Sequence, residues 1–171
     1  IREGASLRRL LGQGGRVCGA ELSGGETLDV DVVLVGIGVD PNVELAAQAG
    51  LAVDNGIAVD ARCRSSDPLI LAAGDCCSFD HRGQRIRLES VQNANDQAAV
   101  AAHLVAGQPK AYAALPWFWS DQYDTKLQIA GLSEGYDQAI VRGDPEAGSF
   151  ALYYLARGEL LAQRGAGLVG G

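Results

Sequence analysis

The segment Leu69–Asp75 reads LILAAGD, a short apolar run that ends in small residues, a glycine and a carboxylate. The turn-forming residues Ser65–Pro68 precede it, and this pattern predicts a buried strand of an α/β sheet. In open α/β folds, ligands bind at the carboxyl ends of such strands, where an acid can bind a sugar hydroxyl. Asp75 is therefore the first candidate site residue.

The composition limits the possible functions. The 171 residues are 47% hydrophobic and 20% charged, as expected of a globular chain with a core. The net charge of −7 argues against nucleic acid as a partner, because phosphate binding requires clustered Lys and Arg. No apolar run approaches the roughly 20 residues of a membrane span, and the start does not resemble a signal peptide. We expect a cytoplasmic protein without a membrane partner.

The four cysteines are predicted to be reduced structural thiols. Cys18, Cys63, Cys76 and Cys77 form no CxxC pair, and no His stands at metal-ligand spacing from them. We therefore assign these cysteines no chemistry and predict no metal site. The sequence also contains no Met, starts at Ile1 and ends in GAGLVGG, so we expect a piece of a longer protein.

The region before LILAAGD is predicted to contain short strands. Arg16–Leu22 and Glu26–Val30 flank a glycine turn and indicate a hairpin. The β-branched run Val32–Val35 is typical of a strand covered on both faces. It ends at Gly36-Ile37-Gly38, where the glycines allow either close approach of a cofactor or a tight turn. A helix is predicted over Val43–Ala49, and Asn55-Gly56 predicts a second hairpin.

A longer helix is predicted over Val91–Ala106, with Ser90 as its N-cap. Its partly positive N-terminus would point at whatever the LILAAGD strand binds. The polar residues of its first turns are either ligand contacts or solvated: Asn93, Asn95, Asp96 and Gln97. The predicted apolar stripe consists of Val91, Ala94, Ala98, Ala101 and Val105.

The composition changes at Gln108-Pro109, which we interpret as a domain boundary. An extended Trp117-Phe118-Trp119 places both indoles on one side, for core packing by default or for contact with a cofactor or partner. Beyond it, turns separate four predicted strands of a β-meander, namely Lys126–Ala130, Gln138–Arg142, Phe150–Leu155 and Glu159–Ala162.

Four segments carry a resemblance to a known family: VVLVGIGVDPNVELA, SSDPLILAAGDC, RLESVQNANDQA and LPWFWSDQYDTKLQIAGLS. In this order they resemble the FAD-dependent, NAD(P)H-using ferredoxin reductases that serve cytochrome P450 systems and aromatic-ring dioxygenases. The resemblance implies an α/β fold, part of a flavoprotein with two dinucleotide-binding domains, followed by a C-terminal α+β domain with an antiparallel meander.

The resemblance also implies site residues. Asp75 would bind the flavin ribityl chain, with Gly74 beside the pyrophosphate. Val91 would contact the flavin pyrimidine through its backbone, and Trp119 would lie beside the flavin, toward the face where the iron–sulfur partner docks. On the nicotinamide side, the resemblance implies Glu89 and the loop Gly36, Ile37 and Gly38.

The implied reaction is hydride transfer from NAD(P)H to FAD, followed by single-electron transfer to a [2Fe–2S] ferredoxin. We identify neither of the two GxGxxG motifs with which such reductases bind FAD and the nicotinamide cofactor. The family layout makes residues 1–34 the tail of the NAD(P)-binding domain, 35–107 the returning half of the FAD-binding domain and 108–171 a truncated C-terminal reductase domain.

Three hypotheses follow from this layout. The chain is a reductase portion that is inactive alone, one chain of a split flavoenzyme, or a non-catalytic interaction and dimerisation module. A sheet without its neighbouring strands would expose edges and apolar faces, so we also expect self-association.

Overall fold

The computed structural model describes residues 1–168, the side chain of residue 168 excepted, so that the last three residues of the GAGLVGG segment lie outside the described part. The chain forms two compact units, Ile1–Asp40 and Pro41–Gly171. The family layout divides the chain into NAD(P)-binding, FAD-binding and C-terminal reductase parts. These boundaries depend on which cofactor each part binds, and they stay a prediction.

The first unit is a three-stranded antiparallel sheet in the order β1-β2-β3. Its strands are β1 (Leu7–Gln13), β2 (Arg16–Leu22) and β3 (Thr27–Asp29). The pairing of β2 with β3 confirms the predicted hairpin. Glu21 is 9% exposed and accepts hydrogen bonds from Arg8 and Arg9 at 2.8 and 2.6 Å, which compensates the burial of its charge.

The strand predicted over Val32–Val35 is wrong. These residues have no strand conformation, and Val32, Leu34 and Val35 are 74%, 94% and 69% exposed. A buried parallel strand needs neighbours on both edges and a covering layer on each face. Among the residues that the structure describes, no strand pairs with this run, so its apolar side chains have nothing to bury against.

The second unit begins with a short helix and a small mixed sheet. Helix α1 (Glu44–Gln48) matches the predicted helix to within one residue at each end. The sheet order is β4-β5-β6, with β4 parallel to β5 and β5 antiparallel to β6. These strands are β4 (Ile57–Ala58), β5 (Cys77–His81) and β6 (Gln84–Ile86).

The hairpin predicted at Asn55-Gly56 is reduced to one antiparallel bridge between Val53 and Ile57. Gly56 has a φ of +133°, and an added Cβ would lie 2.9 Å from the carbonyl oxygen of Cys76. Both the backbone conformation and the close approach of β5 therefore require glycine here.

The strand predicted at Leu69–Asp75 is also wrong. Leu71 makes an isolated bridge to Arg64, while Leu69 is 91% exposed. The strand of this region, β5, starts at Cys77, two residues after Asp75. Asp75 thus precedes a strand instead of ending one. As with Val32–Val35, the apolar run lacks a neighbouring strand within the described residues.

Helix α2 (Val91–Val105) confirms the predicted helix and its cap. Ser90 Oγ accepts a hydrogen bond from the backbone N–H of Asn93 at 3.1 Å. At the other end, Gly107 has a φ of +73°, and the N–H of Gln108 reaches the carbonyl of His103 at 2.8 Å, which closes a Schellman motif.

The apolar stripe predicted on α2 is not its buried face. Val91 and Val105 are 59% and 79% exposed, whereas the buried residues of this helix are Asn93, Gln97 and Val100. These three residues follow the i, i+4, i+7 spacing of one helix face. The helix therefore packs through a face that carries two side-chain amides.

The C-terminal part is a five-stranded antiparallel sheet in the order β7-β8-β11-β10-β9. All four predicted strands are present, but β11 pairs with β8, so the sheet is not a simple meander. The strands are β7 (Trp117–Gln122), β8 (Thr125–Gly131), β9 (Gln138–Asp144), β10 (Ser149–Ala156) and β11 (Glu159–Leu168).

The spacing GxGxxG does occur in the chain, at Gly165, Gly167 and Gly170, contrary to the expectation that it is absent. Gly165 and Gly167 lie inside β11, opposite Gln128 and Lys126 of β8. A dinucleotide-binding motif needs a turn from a strand into a helix. The two glycines that the structure describes therefore have the context of an antiparallel strand.

The buried cluster Val59, Cys77, Phe79 and Leu88 forms the core of the second unit. Phe118 and Leu132 of the C-terminal part pack against it, so this core connects the small sheet to the large one. None of the helices that the structure describes is long and apolar enough to cross a membrane.

Candidate functional site

The N-terminus of α2 forms one wall of the candidate site. Ser90 caps the N–H of Asn93, while the N–H groups of Val91 and Gln92 belong to the first turn, which has no intrahelical acceptor for them. Val91 is 59% exposed, so this end of the helix is accessible. The free N–H groups and the helix dipole favour an electron-rich or negatively charged group at this position.

Three of the predicted site residues meet at this helix end. Glu89, Val91 and Trp119 line one small cavity of about 160 Å³, which Ser90 and Phe118 complete. A hydrogen bond of 3.2 Å from the backbone N–H of Trp117 to Gln92 Oε1 connects β7 to the helix. The hydrogen bond of Trp117 thus holds β7 against the helix, and Trp119 of the same strand lies beside the helix end.

The two indoles stack on one side of β7, as predicted from the extended W-x-W. Their ring centroids are 5.0 Å apart, with an angle of 29° between the planes. Trp117 and Trp119 are 38% and 45% exposed, so the default expectation of core packing is wrong for both. Phe118, which points to the opposite face of the strand, packs against the core instead.

The Gly74-Asp75 turn is connected to the same helix end at two points. The N–H of Gly74, a residue with a φ of +88°, donates to Gln97 Oε1 at 2.8 Å. The carbonyl oxygen of Asp75 accepts a hydrogen bond of 3.2 Å from Arg87 Nη1, which also contacts Glu89 Oε1 at 2.7 Å. Arg87 thus bridges Asp75 and Glu89, although Asp75 itself does not line the cavity.

Asn93 and Gln97 have a structural role that the sequence did not reveal. Both were predicted to be ligand contacts or solvated, and both are fully buried. Asn93 Nδ2 donates to the carbonyl of Leu88 at 3.1 Å, and Gln97 binds Gly74. Asn93 Oδ1 is buried without a hydrogen-bond partner among the described residues.

Sequence reasoning did not select Arg87, and it did not predict that Gln97 binds the Gly74-Asp75 turn. Arg87 stands two residues before Glu89, so that the two side chains share one side of an extended segment. Gln97 stands four residues after Asn93, on the same face of the helix. Both spacings were available in the sequence, but the acceptor of Arg87 and the donor to Gln97 come from the distant Gly74-Asp75 turn.

The remaining predicted positions, Gly36, Ile37 and Gly38, belong to the first compact unit. Ile37 is 90% exposed, and Gly38 has a φ of +98°. Their assignment to the nicotinamide side stays a prediction.

The thiols are not placed for chemistry at this site. Burial raises the pKa of Cys63 to about 11 and also raises the pKa of Cys77. The Sγ atoms of Cys76 and Cys77 lie 3.8 Å apart. Within residues 1–168, no group of three or more His, Cys, Asp or Glu side chains could hold a metal ion.

Comparison with known proteins identifies the family. The pyridine nucleotide-disulphide oxidoreductase model matches residues 1–98, and the reductase C-terminal model matches residues 117–167. The chain therefore belongs to the pyridine nucleotide-disulphide oxidoreductase family.

The curated proteins similar to this chain include ferredoxin reductases. The chain is 49% identical to a ferredoxin–NAD(P)(+) reductase of a Sphingomonas species, covering 90% of this chain and 38% of the relative. It is 44% identical to putidaredoxin reductase of Pseudomonas putida, covering 87% of this chain and 39% of the relative.

Solved structures of ferredoxin reductases are also similar to this chain. The ferredoxin reductase for the CYP199A2 system from Rhodopseudomonas palustris has a TM-score of 0.89 at 46% identity, over 95% of this chain and 41% of that chain. The covalent putidaredoxin reductase–putidaredoxin complex has a TM-score of 0.92 at 41% identity, over 97% and 41%. These matches confirm the resemblance and the fold class, and the chain spans about 40% of the length of these proteins.

Proposed function

We propose that this chain is the portion of an FAD-dependent NAD(P)H:ferredoxin reductase that contacts one side of the flavin and the electron acceptor. The observation that carries the proposal is the convergence of Glu89, Val91 and Trp119 on one cavity at the start of α2. The names of the relatives support the class of reaction, since they include reductases of ferredoxin and putidaredoxin.

The residues at this site fit FAD, the cofactor that the family resemblance implies. The open N-terminus of α2 supplies N–H donors for a flavin carbonyl, and the half-exposed Trp119 supplies an aromatic face. The Gly74-Asp75 turn supplies a carboxylate for a hydroxyl chain, and the positive φ of Gly74 suits a close backbone approach. These residues would hold the ribityl and pyrimidine parts of FAD.

When bound, FAD supplies the chemistry that couples the two-electron oxidation of NAD(P)H to the transfer of single electrons. The chain contributes position and electrostatics. The positive end of α2 would stabilise negative charge on the pyrimidine ring. Glu89 is 44% exposed at the rim of the cavity, consistent with a place on the nicotinamide side.

We also propose a [2Fe–2S] ferredoxin as the electron acceptor. One structural neighbour is a covalent complex of putidaredoxin reductase with putidaredoxin. In this chain the stacked Trp117 and Trp119 form an exposed aromatic surface next to the cavity, and aromatic side chains are enriched at protein interfaces. A cytoplasmic location belongs to the proposal as well, since four thiols without a disulfide are typical of a reducing compartment.

A flavin titration tests the proposal. FAD is added to the purified chain, alone and together with the preceding N-terminal portion of the Sphingomonas relative, and flavin absorption is recorded. We expect no stable flavin band from the chain alone and a stoichiometric band from the pair, which NADH bleaches. Trp119→Ala is expected to weaken flavin binding about three- to tenfold, as expected for loss of one aromatic contact.

The control is Tyr123→Ala, which removes a fully exposed ring from the turn after β7 without altering the cavity. A stoichiometric flavin band with NADH-dependent bleaching in the isolated chain would show that it is not inactive alone. A pair that remains colourless while both parts are folded would contradict the assignment as a flavoprotein portion. Reconstituted activity would support the split-enzyme hypothesis.

A specific observation favours the alternative of an interaction module. Leu34 and Ile37, three residues apart in the first compact unit, are 94% and 90% exposed, and contiguous exposed apolar residues mark interaction surfaces. Self-association of the isolated chain is therefore expected. A monomer by light scattering at the concentrations of the flavin titration would contradict this expectation.

A further inference from the structure

Arg87 contacts residues of separate segments and brings those segments together. Its Nη1 donates to Glu89 Oε1 at 2.7 Å and to the carbonyl oxygen of Asp75 at 3.2 Å. Its Nε lies 3.4 Å from Asn55 Oδ1. One guanidinium thus contacts the Asn55 turn, the Gly74-Asp75 turn and the residue that precedes the cap of α2.

The burial of Arg87 sets it apart from the other ion-paired arginines. Its side chain is 10% exposed, whereas the other arginines in ion pairs are 36% to 67% exposed. A buried guanidinium loses its hydration and must be compensated by acceptors at fixed positions. The side chain and its acceptors therefore fix one another, which an exposed ion pair does not achieve.

The Gly74-Asp75 turn has two connections to the segment around α2. Gln97 accepts from the N–H of Gly74 at 2.8 Å, and Arg87 donates to the carbonyl of Asp75. The first connection fixes the N–H of Gly74 and does not involve Asp75. The second connection sets the distance between Asp75 and Glu89.

We propose that Arg87 is a positioning residue of the flavin site, which holds the Asp75 turn and the Glu89 carboxylate in a fixed relation. The proposal rests on the proposed function, since Asp75 and Glu89 are the residues assigned to the ribityl and nicotinamide sides. A planar guanidinium can donate to several acceptors at once, whereas the ammonium of Lys is a point charge on a flexible stem.

The first measurement does not depend on flavin. Hydrogen exchange is followed at two amides bonded to carbonyls of the Asp75 turn, namely Cys77 to Gly74 and Ile57 to Cys76. Arg87→Gln is expected to accelerate exchange at both amides about tenfold or more, because it removes hydrogen bonds of a charged donor. Arg87→Lys is expected to have a smaller effect in the same direction, and it decides the question if Arg87→Gln does not fold.

The matched control is Arg85→Gln. Arg85 lies two residues earlier, donates to the carbonyl of Ser78 at 2.8 Å and contacts neither Asp75 nor Glu89 in the described structure. In the Arg85→Gln variant, the exchange rates of the Cys77 and Ile57 amides should stay within about twofold of wild type. Unchanged exchange in both Arg87 variants would overturn the proposal whether or not the protein binds FAD.

The second measurement is FAD affinity of the chain paired with the N-terminal portion of the Sphingomonas relative. We expect the Kd to rise about tenfold or more in Arg87→Gln and to stay within about twofold in Arg85→Gln. Faster exchange with an unchanged Kd would overturn the role at the flavin site. Absence of FAD binding by the wild-type pair would count against the proposed function, while the exchange data would still decide whether Arg87 fixes the turn.

Discussion

Replacing Gln97 by Leu tests whether the buried amide face of α2 holds the Gly74 turn. Gln97 is 1% exposed, and its Oε1 accepts from the N–H of Gly74 at 2.8 Å. Leu is similar in size, so the substitution removes the acceptor without leaving a large cavity. The buried N–H of Gly74 would then have lost its partner, at a cost of about 1–3 kcal/mol.

The assay is urea unfolding followed by tryptophan fluorescence. Both tryptophans lie in the second compact unit, so the signal reports on the unit that contains Gln97. With a slope of about 1–3 kcal/mol per M, a destabilisation of about 2 kcal/mol lowers the midpoint by about 1 M. The matched control is Gln138→Leu, which makes the same change at an exposed position of β9.

A change of less than about 0.5 kcal/mol in the free energy of unfolding of Gln97→Leu, the range of neutral surface substitutions, would refute a stabilising role of this hydrogen bond. An equal loss of stability in Gln138→Leu would also refute it, because the effect would then come from the residue type and not from the buried hydrogen bond.

Three further predictions concern the fold. Gly131→Ala should destabilise the second unit by more than about 2 kcal/mol in thermal unfolding, because Gly131 has a φ of +80° and the added Cβ would lie 2.2 Å from the carbonyl oxygen of Leu161. Gly135→Ala, with a φ of +77° and open space, should cost only about 1 kcal/mol, and equal losses would contradict the steric argument. Burial raises the pKa of Cys63 from 9.0 to about 11, so the unfolded state loses this proton first and stability should fall between these pH values. Cys63→Ala should flatten that part of the pH profile, and an unchanged slope would exclude the thiol as its cause. Ser90→Ala should lower the free energy of unfolding by about 1 kcal/mol through loss of the cap, and no change in urea unfolding would contradict the capping role.

Local signals predicted local structure well. Ser90 and Gly107 set the two ends of α2, and the alternation along β7 placed both indoles on one side. Each of these features depends on residues within a few positions of one another. The sequence was sufficient for them because the interacting groups are neighbours along the chain.

Features that depend on distant segments could not be predicted in the same way. The apolar runs Val32–Val35 and Leu69–Asp75 have the composition of strands, yet a strand also requires a neighbour to bond its backbone groups. The burial of Asn93 and Gln97 depends on the carbonyl of Leu88 and the N–H of Gly74. The spacing of residues along the helix does not indicate that these two backbone groups lie opposite it.

The residues that the family resemblance selected partly coincide with one cavity, while their roles at a flavin stay predictions. The resemblance selected Glu89, Val91 and Trp119, and these residues line one cavity in the structure. It did not select Arg87, whose importance follows from burial and from acceptors in separate segments.

The stacked indole pair has a spectroscopic consequence. Transition dipoles on two rings 5.0 Å apart couple, so the pair should give an exciton doublet in far-ultraviolet circular dichroism. The sign and size of that doublet depend on the angle between the rings. A ligand or protein that settles against Trp119 and turns its ring would therefore change the doublet without any dye or label.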